Sequence, residues 1–405
     1  MFDVIVIGAG PAGMMAAYAA SNRGLKTAVF DKNEKVGKKL FLTGKGRCNI
    51  TNVSSDFFSN IVRNPKFLLS CYNNFSNMDL IQLFNRNGLA TKVERGGRVF
   101  PQSDKSSDVI KTLSKITQDV GVKLHLHSPI KHIEKKEGQF LIGTRDGEMA
   151  CRSLVIATGG LSYPSTGSTG DAFRWAHEWG HSVIALRPAL VPLVDKTGIC
   201  QKMQGLTLKN IRFTLFQNNK EVYAEQGEML FTHFGLSGPV VLSASSFIHY
   251  DQDISTLMGE IDLKPALTQE QLDARLLRDF DQNKNKQLKT YLPALMPAKL
   301  ETLFFDVANI DPEIRIHEIS REVRGRIVQT LKGMRIAISG TRPVAEAIIT
   351  AGGINVKEIN PKTMESKIVK NLYFAGEALD VSALTGGYNL QIAFSTGYAA
   401  GVAAG

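Results

Sequence analysis

Apolar residues fall into different rhythms along this 405-residue chain, and each rhythm predicts a different kind of element. Near the start, the unbroken run Val4-Ile5-Val6-Ile7 reads as a strand covered on both faces, since a strand with one wet face would alternate. The run breaks into Gly8-Ala9-Gly10-Pro11-Ala12-Gly13, an alanine-rich helix follows, and a second apolar run ends at Asp31. Helical spacing then marks 65–74, 77–87 and 106–120, the first opened by Asn64-Pro65 as cap and first turn. Val122 to Leu126 alternates like a strand, and Ile130–Glu134 with Gln139–Thr144 reads as a hairpin around Lys136-Glu137-Gly138. Leu154–Ala157 is expected as a short buried strand running into Thr158-Gly159-Gly160, with a helix from about 170 to 180 behind it.

Around Pro188–Pro192 the pattern changes. Alternation near 191–194, 206–217, 221–231 and 258–263 predicts antiparallel strands, and Ser237-Gly238-Pro239 opens a helix to about Ile248. From Thr268 the spacing turns helical to about 332, starting with a capping-box-like Thr268-x-x-Gln271. Past Thr341 strands near 344–349 and 372–375 and a closing helix from about Asn389 restore the α/β pattern. The expected fold class is α/β. It is a discontinuous Rossmann-like domain of the two-dinucleotide type, 1–190 plus 341–405, with an inserted antiparallel β-rich part at 191–267 and a small helical part at 268–340. A chain of this length needs more than one core.

Composition narrows the class. With 43% hydrophobic and 21% charged residues the chain reads as an ordinary globular protein, and no apolar stretch is long enough to span a bilayer. The first apolar run lacks the basic flank of a secretory leader and carries Asp3, so a cytoplasmic location is expected. Cys48, Cys71, Cys151 and Cys200 form no Cys-x-x-Cys pair and have no histidines at zinc-like spacing, which points to free thiols and no metal site. The formal charge of +10 is partly local: seven cations between Arg315 and Arg342 face only Glu318 and Glu322. Such a stretch is either a solvated helix surface or a face for nucleic acid.

The opening segment has the order of an ADP-binding βαβ unit. Gly8 permits the tight turn, Gly10 admits a pyrophosphate close to the backbone, Gly13 lets helix and strand approach, and the helix N-terminus presents unpaired N–H groups. Asp31 falls where a carboxylate accepts from a ribose 2′-OH and repels a 2′-phosphate, which suits FAD or NAD and not NADP. Near the other end, Asn371-Leu-Tyr-Phe-Ala-Gly376-Glu377, followed by Thr385-Gly386-Gly387-Tyr388-Asn389-Leu390, repeats the logic of strand, acid, glycines and helix start. In a flavoprotein Glu377 then binds the ribityl and pyrophosphate region while Gly386, Gly387 and the helix end meet the flavin ring. The two units together select FAD over NAD. The chain has no second Gly-x-Gly-x-x-Gly unit, so NAD(P)H enters only as a transient electron donor.

These segments, with Gly44-Lys-Gly-Arg-Cys-Asn-Ile-Thr-Asn52, Ala157-Thr-Gly-Gly160, Thr166-Gly-Ser-Thr-Gly-Asp171 and Phe231-Thr-His-Phe-Gly-Leu-Ser-Gly-Pro239, resemble the aminoacetone oxidase-like family of FAD-binding enzymes. The resemblance runs over essentially the whole chain and implies a discontinuous FAD domain with an inserted β-barrel-like and helical part. It also implies that Thr43, Gly44, Arg47, Cys48 and Asn49 line the flavin and pyrophosphate, that Ile130 meets adenine through its backbone, and that Ala12, Lys32, Ala157, Thr158, Gly159, Asn389 and Leu390 complete the cofactor set. Lys45 departs from it, because the family usually has Gly there. Arg47 and His233 are the candidate catalytic side chains, His233 as a proton carrier or else a structural histidine. His125 and His127 share a strand face with no third ligand nearby, and Trp175 and Trp179 share a helix face suited to packing.

The expected function is a FAD-dependent oxidoreductase passing hydride between a small organic substrate or NAD(P)H and the flavin. Two alternatives stand beside it: an RNA-modifying flavoprotein using the basic segment 315–342, and a non-enzymatic flavin-bearing sensor. Oligomeric state is not legible.

Overall fold

The structure, a computed structural model, describes residues 1–145 and 147–405. The chain divides into two compact units, Met1–Pro188 with Val344–Gly405, and Ala189–Pro343.

The first unit is built on a parallel sheet. Strand β1 (Phe2–Ile7) lies between β2 (Thr27–Phe30) and the strand Gly147–Ile156, parallel to both, and Lys123–His125 extends the sheet beyond β2. Val4, Ile5 and Val6 are wholly buried, which is why their sequence shows no alternation. Gly147–Ile156 is ten residues long, so the expected short strand at Leu154–Ala157 is corrected. Its first half pairs antiparallel with Gln139–Thr144, and its second half pairs parallel with Leu372–Phe374. Gln139–Thr144 pairs in turn with His132–Lys136, in a hairpin whose turn puts Glu137 at φ 51° and Gly138 at φ 79°.

Helix α1 (Pro11–Ser21) and the C-terminal helix Tyr388–Ala403 are small-residue helices pressed together. A Cβ on Gly397 would lie 2.2 Å from the Ala12 carbonyl oxygen, and one on Gly401 2.1 Å from that of Ala16. Close backbone approach explains why neither helix shows an amphipathic stripe, since both are covered nearly all round. Two elements here escape the sequence pattern. A hairpin of Thr91–Glu94 and Arg98–Pro101 sits behind the 77–87 helix, and the strand expected at 344–349 begins instead at Ile349 and runs to Ile354. Val344–Glu346 is a 3₁₀ turn directly after Pro343.

The second unit contains a closed antiparallel barrel. Leu193–Asp195 pairs with Gly235–Ser237, followed in order by Lys220–Phe231, Thr207–Gln217, Met258–Asp262 and Met334–Thr341, which returns to Leu193–Asp195. The closing strand corrects the assignment of 268–340 to a helical part, for Met334, Ile336 and Ile338 alternate inward with Arg335 and Ser339 outward. Thr268 and Gln271 do form a reciprocal capping box at the start of Gln269–Gln282. The helical stretch that follows is broken into Leu288–Tyr291, Glu301–Ala308 and Arg321–Lys332. Pro293, Pro297 and Pro312 stand in the breaks, where a missing N–H and a fixed φ end a helix.

Candidate active site

The glycines of the first turn divide by what a side chain would strike. On Gly8, at φ 106°, a Cβ would come 2.4 Å from the Ala157 carbonyl oxygen, and on Gly13 it would come 1.8 Å from that of Gly8. Both are required by the fold itself. On Gly10 a Cβ would meet nothing within 4 Å. Packing therefore does not explain Gly10, whereas a ligand lying on the backbone does. Gly10 is also the N-cap of α1, with no side-chain cap, so the first-turn N–H groups and the positive helix end remain available to an anion. Ala12 is pinched from behind, 2.8 Å from the would-be Cβ of Gly376.

Asp31 uses its carboxylate on the loop itself, accepting from the Ala9 N–H at 2.7 Å and the Asn33 N–H at 2.8 Å. It thus fixes the glycine turn against the end of β2. Lys32 pairs with Asp171 at 2.7 Å, and Ile130 is half-buried against the core of this unit.

The loop after β2 tightens into two 3₁₀ turns within Leu40–Gly46, separated by a kink at Thr43–Lys45, and Thr43 Oγ1 donates to the Leu40 carbonyl at 2.7 Å. Gly44, Lys45, Gly46 and Cys48 all have φ between 57° and 83°. Lys45 holds its left-handed conformation without glycine's freedom, so the departure seen in the sequence coincides with a strained residue. The Arg47 guanidinium meets Glu94 Oε1 and Asp104 Oδ1, each at 2.5 Å, and lies 4.1 Å above the Phe100 ring. Its charge is taken up by two carboxylates, and hydrogen bonding to Arg47 holds the Glu94 carboxyl below its usual range. Glu94 and Phe100 come from the hairpin that sequence reading missed.

Cys48 is completely buried, and desolvation pushes its thiol up to about 12, which keeps it neutral. Next to it, Asn49 Oδ1 is buried and has no hydrogen-bond partner among the described residues. A Cβ on Gly387 would lie 2.9 Å from that oxygen and 2.4 Å from the Thr51 carbonyl. Gly387 is thus packed tightly here, and the orphaned acceptor asks for an N–H or O–H donor, which a ligand can supply.

Glu377 stands at the centre of a network the sequence did not disclose. Its Oε1 accepts from Ser162 Oγ at 2.9 Å and the Thr350 N–H at 2.9 Å, and its Oε2 meets Lys39 Nζ at 2.6 Å. Gly160 must lack a side chain because a Cβ would sit 3.0 Å from Glu377 Oε1 and 2.5 Å from Thr350 Oγ1. Gly376 donates its N–H to Thr396 Oγ1 at 3.0 Å. Gly386 and Gly387 have φ 131° and 102°, and Gly387 caps the C-terminal helix without a side-chain bond. Asn389 clamps the preceding loop, its Oδ1 accepting from the Ala383 N–H at 3.0 Å and its Nδ2 donating to the Ala383 carbonyl at 2.9 Å, while Leu390 is half-buried. Thr158 Oγ1 accepts from the Ala172 N–H at 3.1 Å, and Gly159, at φ 76°, makes room for Ser168 Oγ.

Of the remaining candidates, His233 belongs to the second unit and the others to the first. His233 is exposed on a turn of the barrel unit, its ring edge-on to Phe234 at 4.9 Å. His125 stacks on Phe30 at 4.5 Å, and His127 is in a left-handed turn, so the two do not share a strand face. Trp175 is buried in the core of the first unit, and Trp179 packs near Phe140. Among the described residues there is no group of three His, Cys, Asp or Glu able to hold a metal.

In the basic segment 315–342, Arg324 pairs with Asp273, Lys332 with Asp262 and Arg335 with Glu260. No helix among the described residues is long and apolar enough to cross a membrane.

An open glycine turn on an uncapped helix end, joined to an orphaned acceptor and a second glycine-capped helix, fits a dinucleotide carrying a flavin. The class this defines is a FAD-dependent oxidoreductase, an enzyme whose substrate the fold does not name. The chain belongs to the HI0933-like protein Rossmann domain family, whose model matches residues 2–403. It is 31% identical over 399 residues to a ribosomal RNA dihydrouridine synthase of Escherichia coli, covering 98% of this chain and 96% of that one. It is 29% identical over 403 residues to a 3-dehydro-bile acid delta(4,6)-reductase of Clostridium scindens, covering 98% of both. In fold it is similar to a 3-ketosteroid-delta4-(5alpha)-dehydrogenase from Rhodococcus jostii, with a TM-score of 0.51, 14% identity, and coverage of 100% of this chain and 96% of that one. An enzyme displaces the reading as a mere flavin-bearing sensor.

Proposed function

We propose that the protein reduces a carbon–carbon double bond conjugated to a carbonyl, and that the double bond belongs to a uracil ring in ribosomal RNA. The reading is carried by one observation. The relatives that match its whole length, a ribosomal RNA dihydrouridine synthase and a bile acid delta(4,6)-reductase, are named for the same bond change on unrelated skeletons. Between those skeletons, the formal charge of +10 favours the polyanion, because a basic protein gains affinity for RNA by releasing its counterions and gains nothing comparable from a steroid.

Bound and reduced, FAD supplies the hydride for such a reaction. The chain's residues hold and tune it. The first-turn N–H groups behind Gly10 bind the pyrophosphate, with Asp31 keeping the turn in shape through Ala9. Asn49 Oδ1 would accept a hydrogen bond from the bound flavin, and the positive end of the helix capped by Gly387 would favour negative charge on the reduced ring. Gly44 and Cys48 supply left-handed bends that would let the loop line the bound flavin, and Arg47 fixes that loop through Glu94 and Asp104. The proton that completes the reduction comes from an acid or a water molecule at the substrate. NAD(P)H serves as a transient donor.

The test is anaerobic. FAD-loaded protein is mixed with NADH or NADPH, loss of the oxidised-flavin absorbance is followed, and ribosomal RNA lacking dihydrouridine is then added. Reoxidation of the flavin with the appearance of dihydrouridine in the RNA is the expected result. Bleaching by amines, as the aminoacetone oxidase-like resemblance would have it, or turnover of an unsaturated 3-oxo steroid with unaltered RNA, sinks the RNA assignment.

A further inference from the structure

The basic segment that sequence alone offers to nucleic acid is a poor phosphate surface. Three of its seven cations are matched by Asp273, Asp262 and Glu260, Arg326 has a buried Nε, and Glu318 and Glu322 lie beside Arg315 and Arg321. Three exposed cations stand around the flavin loop. Lys45 at the tip of the Leu40–Gly46 turn, Arg95 in the bend of the Thr91–Pro101 hairpin, and Lys105 just before the helix Ser106–Asp119 are all exposed. None has a carboxylate within ion-pair distance among the described residues.

Contacts within the first unit make these three elements one surface. Ser106 Oγ donates to the Phe41 carbonyl at 3.2 Å, Arg47 joins the turn to Glu94 and Asp104, and a Cβ on Gly44 would touch the Phe100 ring at 3.4 Å. On the same turn Phe41 is 56% exposed and Leu42 46%, in a unit whose other described Phe, Tyr and Trp rings are buried or half-buried. Cations spaced around an exposed aromatic side chain make the arrangement that holds single-stranded nucleic acid, charge on the backbone and a ring under a base. The turn carrying both runs directly into Cys48 and Asn49, so RNA held there is delivered beside the flavin loop.

We propose that this rim, Lys45, Arg95 and Lys105 around Phe41, is the RNA-docking surface of the enzyme; the proposal rests on the RNA reading above. The three cations hold phosphates and Phe41 stacks on a base flanking the target uracil. Lysine in place of glycine at position 45 then has a reason, since a strained residue is retained where its charge is used.

The experiment is filter binding of the FAD-loaded full-length protein to deproteinised ribosomal RNA over a range of salt. Reversing all three cations (Lys45→Glu, Arg95→Glu, Lys105→Glu) is expected to lower affinity at least about tenfold and to make the dependence of log K on log salt shallower by about 2. Phe41→Ala is expected to lower affinity about tenfold with the slope unchanged. Arg321→Glu, on the other basic segment, should leave both near wild type. If the reversed protein fails to retain FAD, the neutral set with glutamine at the same positions serves in its place. Unaltered affinity and slope in a FAD-loaded variant overturn the surface, as does an Arg321→Glu loss of equal size. Wild-type protein that binds no RNA at low salt overturns the substrate reading as well.

Discussion

Lys39 and Glu377, 338 positions apart in the chain, meet at 2.6 Å between Nζ and Oε2. One belongs to the segment before the insert and the other to the segment after it, so this pair, with Ser162 and Thr350, ties the discontinuous domain together. Both side chains are about four-fifths buried. Removing Lys39 leaves a carboxylate with two neutral donors and no counter-charge. Lys39→Met is expected to cost about 1–3 kcal/mol of stability, and Glu377→Gln less. Thermal unfolding of both single variants and the double variant measures the coupling. Strictly additive effects would contradict a direct interaction.

The glycine cradle makes a second prediction by contrast. Gly10→Ala adds a methyl group into open space and should fold with a wild-type melting temperature as apoprotein while losing most of its FAD. Gly13→Ala drives a methyl group into the Gly8 carbonyl and should cost at least about 3 kcal/mol whatever cofactor is present. Flavin content read against apoprotein melting separates the two. Full FAD occupancy in Gly10→Ala would remove the pyrophosphate from that turn.

The thiols should be silent in the native protein. Burial pushes Cys48, Cys71 and Cys151 up to about 12, and burial followed by the Asp195 carboxylate raises Cys200 as well. At neutral pH a disulfide reagent should find essentially no rapidly reacting thiol before denaturation and four after it. Cys48→Ser should keep flavin reduction within a few-fold of wild type. Rapid native-state labelling at Cys48 would revive a redox role for it.

Acid should loosen the first unit at His181. This buried ring donates from Nδ1 to Glu358 at 3.0 Å and accepts at Nε2 from Ser366 Oγ at 2.8 Å, with Phe374 edge-on to it. Desolvation lowers its pKa from 6.5 despite Glu358. For Glu358 burial works upward, but the Ser182 and His181 hydrogen bonds outweigh it and hold the carboxyl below its ordinary value.

Both groups have depressed folded-state pKa values, so the unfolded chain takes up protons first and stability falls as pH drops below about 6.5. His181→Asn should melt lower at pH 8 yet lose less of its remaining stability between pH 7 and 5. Parallel pH profiles for variant and wild type would rule His181 out as the source.

How much was legible follows from range. The opening turn could be read because Gly8, Gly10, Gly13 and Asp31 act within a stretch short enough for local spacing to fix their geometry. The capping box at Thr268 and the helix opened by Pro65 were legible for the same reason. Met334–Thr341 was overlooked although its alternation is plain, because it directly follows a helix and was counted with the helical part 268–340. Arg47 offered itself as an anion partner because Glu94 and Asp104, which take its charge, are 47 and 57 positions away.

What this sequence determined alone was the set of local events: where the chain turns on glycine, which runs are buried on both faces, and where helices begin. Steric limits on φ and the cost of burying polar groups act between near neighbours, so they leave a mark on consecutive residues. The tertiary structure alone decided which distant groups share a charge, as Lys39 does with Glu377, and which buried acceptor is left waiting, as Asn49 is. Coulombic pairing and desolvation depend on separation in space, and only the folded chain sets that distance.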